Sequence, residues 1–151
     1  KIDASGYKMK YIADRIGLSY QGFLNKIEYG NQTTSSNLDL YWSDFSLKIS
    51  PLEQVTLLKK FNTNEFHLNF QNVFSVKNAI KIASTPNGNF YGKTGTGRVN
   101  GQDINGWFIG YVETSDNSYY FATNIQSDSN ATGKKAFEIT SDILKKLHIW
   151  N

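Results

Sequence analysis

Residues Asn89 to Gly97 read "NFYGKTGTG" and set Lys93 and Thr94 among glycines. Two kinds of chemistry use a lysine in such company. The first is phosphate binding, in which a glycine-rich loop leaves a strand and opens a helix whose amides cradle the anion. That loop has the form G-x-x-x-x-G-K-[ST]. Here only three residues separate Gly88 from Gly92, and the following "TGTGRVNGQDINGWF" is turn-like and then strand-like. The spacing is short, and no helix N-terminus follows to hold a phosphate.

The second kind places the lysine on a strand beside a cleft. Side chains alternate along a strand, so Lys93 and Gly95 share a face and Thr94 points the other way. Glycine at 95 lets a ligand lie close to the backbone. Amides just beyond it suit a developing oxyanion. Lys93 offers a cation for a carboxylate or a proton for a leaving group. A bare K-T-G reads more readily as a solvated strand lysine beside a turn glycine, so the elements around it must decide.

Those elements divide by periodicity. Lys8 to Arg15 have helical spacing, with Tyr11, Ile12 and Ile16 on one side and Gly17 as the stop. Ser19 is placed to cap a short helix through Ile27. From Glu28 to Ser50 the chain is rich in Asn, Ser, Thr and Asp, which is loop chemistry, interrupted by Tyr41 and Trp42. "SPLEQVTLLKKF" is the clearest helix start: Ser50 at the N-cap, Pro51 at N1 and Glu53 at N3. Its apolar stripe reads Leu52, Val55, Leu58 and Phe61. A further helical stretch is predicted over Phe70 to Val76.

After Asn78 the period changes to two. "AIKIAS" and "FYGKTGTG" flank the turn cluster "TPNG", and "GWFIGYVET" and "SYYFATNIQ" flank "SDN", giving two hairpins. "TGKKAFEITSDILKKLHIW" returns to helical spacing, with Ala136, Ile139, Ile143, Leu144 and Leu147 as its buried stripe. Helices segregated from antiparallel strands predict an α+β fold. Residues 1–77 read as a helical subdomain and loop, and 78–151 as antiparallel strands plus a C-terminal helix.

The totals exclude several functions. A chain of 151 residues, 39% hydrophobic and 15% aromatic, can bury one real core. With 16 basic residues against 13 acidic ones, and no long basic run, nucleic acid is not an expected partner. The absence of cysteine removes disulfides, zinc thiolates and thiol catalysis. His67 and His148 have no second ligand at metal spacing, so neither a metal nor a cofactor is expected. No apolar stretch approaches the ~20 residues that span a bilayer.

The K-T-G is not bare. "YGN" (Tyr29, Gly30, Asn31), "YW" (Tyr41, Trp42), "SLKISPLEQV" (Ser46 to Val55), "YGKTGTG" and "NGWFIGYVE" (Asn105 to Glu113) occur in that order. The combination resembles the class D serine β-lactamases. It resembles equally the extracellular sensor domains of receptors that induce β-lactamase expression. The resemblance runs from about Lys8 to near the end of the chain. It implies the C-terminal portion of a β-lactamase/transpeptidase-like fold, an antiparallel sheet with flanking helices. It also implies acylation of a serine by the β-lactam carbonyl, at an extracytoplasmic location.

By that resemblance, Lys93 and Thr94 hold the drug's carboxylate or relay a proton, beside Gly95. The Thr96 amide is half of an oxyanion hole. Trp42 packs by the catalytic lysine, and Tyr29-Gly30-Asn31 shapes the cleft wall. Lys134 opens a segment that supplies a carboxylate-binding arginine in many relatives. The family's nucleophile comes from S-x-x-K, for which Ser5-Gly6-Tyr7-Lys8 is the one formal match. The register of Lys10 to Tyr29 instead puts Ala4-Ser5-Gly6 at the family's middle motif, S-x-V or S-x-N, with Ser5 filling its role by a one-residue shift.

Two functions follow from the resemblance: a β-lactam hydrolase, or a sensor acylated without turnover. A catalytically dead relative is the third possibility. The strand from Ser118 to Gln126 is expected to have an unpaired edge, with Phe121 uncovered. The chain is therefore expected to need an N-terminal partner segment of the same fold to be stable and active.

Overall fold

A computed structural model describes residues 19–33 and 46–151. The chain divides into two compact units, Lys1–Glu53 and Gln54–Asn151. In the first, helix α1 (Tyr20–Lys26) starts where Ser19 predicts, the serine Oγ accepting from the Gly22 amide at 3.0 Å. The expected helix over Lys8 to Arg15 lies outside the described residues, as do Ser5, Tyr41 and Trp42.

Helix α2 (Pro51–Asn62) opens on the expected capping box. The Glu53 amide donates to Ser50 Oγ at 3.2 Å, and the Ser50 amide donates to Glu53 Oε2 at 2.7 Å. Hydrogen bonding from the Ser50 side chain, and then from its amide, holds the Glu53 carboxyl below the usual carboxylate range. The stripe is rotated from its expected position. Gln54 and Leu58, one turn apart, are the buried pair, whereas Leu52 is 75% exposed.

The second unit holds helix α3 (Phe70–Ile80), strands β1 (Lys81–Thr85), β2 (Gly88–Val99), β3 (Gln102–Thr114) and β4 (Ser118–Gln126), and helix α4 (Gly133–Lys146). Asn69 caps α3, its Oδ1 accepting from the Gln71 amide at 2.9 Å. The helix runs beyond Val76 to Ile80, so Ala79 and Ile80 are helical rather than the start of a strand. "AIKIAS" fits period two, but Val73, Lys77 and Ile80 also recur at helical spacing, and the chain becomes extended only at Lys81.

The strands form one antiparallel four-stranded sheet in the order β1-β2-β3-β4. The two expected hairpins are present, closed by Pro86-Asn87 and by Ser115 to Asn117. A third joins β2 to β3 through Asn100 and Gly101, whose φ values of 49° and 78° suit a two-residue turn of the primed type. The stretch read as broadly turn-like is therefore two long strands with a tight reversal between them.

Helix α4 covers one face of the sheet. The core beneath it is Phe90, Phe108 and Val112 from the sheet with Ala136 and Leu144 from the helix. Phe121 is half-buried in this core, its ring 5.1 Å from that of Phe108, so the expectation that it lies uncovered is corrected. The buried stripe of α4 is also corrected. Gly133, Ala136, Thr140 and Leu144 face inward, while Ile139, Ile143 and Leu147 are exposed among the described residues. Thr140 is suited to its buried place because its hydroxyl bonds the Ala136 carbonyl at 2.8 Å and Thr123 Oγ1 at 2.7 Å. The outer edge of β4 has no strand partner among the described residues.

Candidate active site

Strand β2 carries the K-T-G. Its pairing with β1 covers only Gly88 to Tyr91, so from Gly92 to Val99 its outer edge has no strand partner among the described residues. The opposite edge is paired with β3 throughout, Lys93 facing Ile109, Thr94 facing Phe108, Gly95 facing Trp107 and Thr96 facing Gly106. Partners in register share a face of the sheet. Lys93 and Gly95 therefore lie on the face of Trp107, Ile109 and Tyr111, away from α4. Thr94 and Thr96 lie on the α4 face with Phe90 and Phe108. This is the alternation expected from the sequence.

Lys93 is exposed. Among the described residues its ammonium has one polar partner, the Thr94 carbonyl. Gly95 is also exposed, and a Cβ built on it would meet nothing closer than the Trp107 Cβ at 3.7 Å. Interior crowding does not demand glycine here. What glycine keeps is an uncovered stretch of strand backbone beside a cation, open to a ligand from outside.

One row further along, the face of Lys93 is an aromatic floor. Tyr91 and Tyr111 stack at 4.7 Å, and Tyr120 lies 5.7 Å from Tyr111. Lys77 from α3 reaches over both stacked rings, 5.9 and 5.7 Å from their centroids, and pairs with Glu113 at 2.9 Å. Burial first, then the Glu113 charge, pushes the Tyr111 phenol far above its ordinary range and raises Tyr91 as well. Both phenols are neutral at physiological pH, so the floor offers Lys93 no phenolate to act as a base.

The α4 face of the same strand is held tightly. The Gly133 amide donates to Thr96 Oγ1 at 2.9 Å. The loop before α4 is tied to β3, the Ala131 amide donating to the Asp103 carbonyl at 2.8 Å. Lys134, the next residue of α4, is 85% exposed and lies 3.9 Å from Glu138. It follows directly after the residue that touches the K-T-G strand, and its side chain stands in solvent.

At the far end of the hairpin, β2 and β3 are pinned by Arg98 and Asp103, 2.6 Å apart across a register shift at Gly97/Arg98. Two surface concavities, of about 620 and 470 Å³, lie at the other end of the sheet, around Thr114 to Ser118. Neither includes Lys93, Thr94, Gly95 or Thr96. The candidate site is an open strand edge, not a closed pocket, among the described residues.

In the first unit, Tyr29-Gly30-Asn31 is more than a turn. Asn31 Oδ1 accepts from the Lys48 amide at 2.9 Å and from the Thr33 amide at 3.2 Å, and its Nδ2 donates to the Ser46 carbonyl at 2.8 Å. Its own amide donates to the Lys48 carbonyl at 2.8 Å. Gly30 has φ +53°, and a Cβ there would lie 2.0 Å from the Lys48 carbonyl oxygen. The motif joins two chain segments that are 17 residues apart in sequence.

Residues 7–145 match the penicillin binding protein transpeptidase domain. The chain belongs to that family. Among curated relatives it is 44% identical over 129 residues to the methicillin resistance mecR1 protein of Staphylococcus aureus, covering 85% of this chain and 22% of that protein. It is 48% identical over 128 residues to the regulatory protein BlaR1 of Bacillus licheniformis, covering 85% of this chain and 21% of that protein. Among solved structures, the C-terminal domain of the Bacillus licheniformis BlaR penicillin-receptor superposes with a TM-score of 0.85 at 43% identity, over 97% of this chain and 59% of that one. A class D β-lactamase from Bacillus subtilis superposes with a TM-score of 0.82 at 35% identity, over 97% and 60%.

The chain thus spans about a fifth of the curated relatives' length and about three-fifths of the solved chains. Both groups named by the motif resemblance are among its relatives, and the α+β architecture is theirs. No helix among the described residues is long and apolar enough to cross a membrane.

The sequence reading missed two features of this site. The Asn100-Gly101 dipeptide is a strong hairpin signal and would have extended β2 past the K-T-G. The "TG" at Thr132-Gly133 marks a helix cap, but nothing in one sequence links it to Thr96.

Proposed function

We propose that this chain is the C-terminal part of a β-lactam-recognising domain that works through a serine acyl-enzyme. The observation that carries the reading is the exposed Lys93-Thr94-Gly95 edge of β2, where glycine is retained without interior need. In this reading the Lys93 ammonium takes the drug's carboxylate, with the Thr94 side chain on the opposite, α4 face of the same strand. The Thr96 amide stabilises the oxyanion as the lactam carbonyl is attacked. By the motif match alone, Lys134 and Trp42 are further candidates for drug binding, and Ser5 for the middle motif of the family. The nucleophilic serine comes from a partner segment of the same fold, whose strand pairs with the open edge of β4.

The chemistry is shared by two functions. Hydrolysis requires fast deacylation, and sensing requires a long-lived acyl-enzyme. Identity to mecR1 and to the BlaR1 proteins, 40–48%, supports the sensor, and identity to the Bacillus subtilis probable β-lactamase YbxI, 39% over 124 residues, supports the hydrolase. The fold is shared with the class D β-lactamase at a TM-score of 0.82 and with the BlaR penicillin-receptor domain at 0.85, so both readings stand. Either role places the domain outside the cytoplasm, where β-lactams arrive.

A pulse of fluorescent penicillin on the full-length protein, followed by an unlabelled chase, tests the reading. A label that persists for hours marks the sensor, and one lost within seconds marks the hydrolase. A protein that takes no label at all contradicts both.

A further inference from the structure

Thr94 and Thr96 lie on the face of β2 that meets α4, and the first turn of α4 rests on the strand pair at that row. The contact has three parts. The Gly133 amide, one of the helix's otherwise unpaired N-terminal donors, bonds Thr96 Oγ1 at 2.9 Å. A Cβ at Gly133 would lie 2.6 Å from the Gly95 carbonyl oxygen and 2.9 Å from both the Gly95 amide nitrogen and the Thr94 Cβ. A Cβ at Gly106, the register partner of Thr96, would lie 2.4 Å from the Thr132 carbonyl oxygen. Helix backbone therefore approaches sheet backbone closely at Gly133 and Gly106.

We infer that Thr96 and Gly133 are positioning residues, which set the K-T-G backbone against helix α4 and so fix the amide that meets the oxyanion. The inference rests on the proposed function. The Thr96 side chain does not reach toward the drug. It lies on the α4 face of the strand and holds its own amide in place through the helix. The other edge of the strand is open here, so β3 and α4 are what locate it among the described residues. Displacement of a reacting group by about 1 Å can slow a reaction roughly a hundredfold, so a joint at this row matters to the rate beyond its share of stability.

The test is timed labelling of the full-length protein by fluorescent penicillin over a concentration series, which separates the acylation rate constant from the preceding dissociation constant. Melting curves accompany it, and the assay runs well below every melting temperature. Thr96→Val keeps the shape and removes the acceptor. It is expected to slow acylation about tenfold, with a smaller change in the dissociation constant. Thr96→Ser keeps the hydroxyl and is expected to restore the rate to within about threefold. Gly133→Ala, which pushes on Gly95, is expected to slow acylation at least as much as Thr96→Val.

A purely structural contact would lower the melting temperature and leave the rate constant of the folded protein unchanged. Thr96→Val acylating at the wild-type rate overturns the inference alone, whether or not Gly133→Ala folds. A wild-type protein that takes no label overturns the proposed function and this inference with it.

Discussion

Arg98 and Asp103 meet at 2.6 Å, Nε to Oδ1, where the register of β2 and β3 shifts by one residue. The pair closes the hairpin whose two strands carry the K-T-G and its apolar neighbours. The hydrogen bond from Arg98, with its charge besides, holds the Asp103 carboxyl below the usual carboxylate range. A carboxylate with a depressed folded pKa contributes stability above its unfolded pKa, about 3.9 for aspartate, and loses it as pH falls through the folded value.

Asp103→Asn should therefore lower the melting temperature slightly at pH 7, and the gap from wild type should close as the pH is taken down through the acid range. Glu53, depressed by its capping box, has the same sign. The difference between the two proteins, and not the wild-type curve alone, isolates Asp103. A gap that stays constant down to about pH 2 would show that the ion pair contributes nothing.

Tyr111 is fully buried, and its hydroxyl has no hydrogen-bond partner among the described residues. A buried, unpaired hydroxyl costs about 1–3 kcal/mol. Tyr111→Phe keeps the stack with Tyr91 and removes that cost, so it should raise unfolding free energy by about 1 kcal/mol in a denaturant titration. A loss of about 1 kcal/mol or more would mean that the hydroxyl is bonded, for instance through a buried water.

What could be read from the sequence was local. The Ser50/Glu53 box and the Ser19 cap are each written within four residues, and both appear as bonds. The order of helices and strands followed from a change of period. Burial was harder to read. Thr140 outranks Ile139 and Ile143 in the core because Thr123 on β4 stands opposite it and bonds its hydroxyl, and a hydropathy stripe cannot register such a partner. Asn31 had the look of a turn residue. Its amide is instead spent on Ser46 and Lys48, a pairing visible only once the chain has folded back. Lys93 could be found as a motif, but the open edge that gives it meaning comes from the short reach of β1.

The central claim is that the edge of β2 at Lys93 receives a β-lactam whose carbonyl acylates a serine. Intact-mass spectrometry of the full-length protein after exposure to benzylpenicillin tests it most directly. The account predicts one covalent adduct of the drug's mass, formed roughly a hundredfold more slowly in Lys93→Ala. No adduct on the wild-type protein, or an adduct formed equally fast without the lysine, would contradict it.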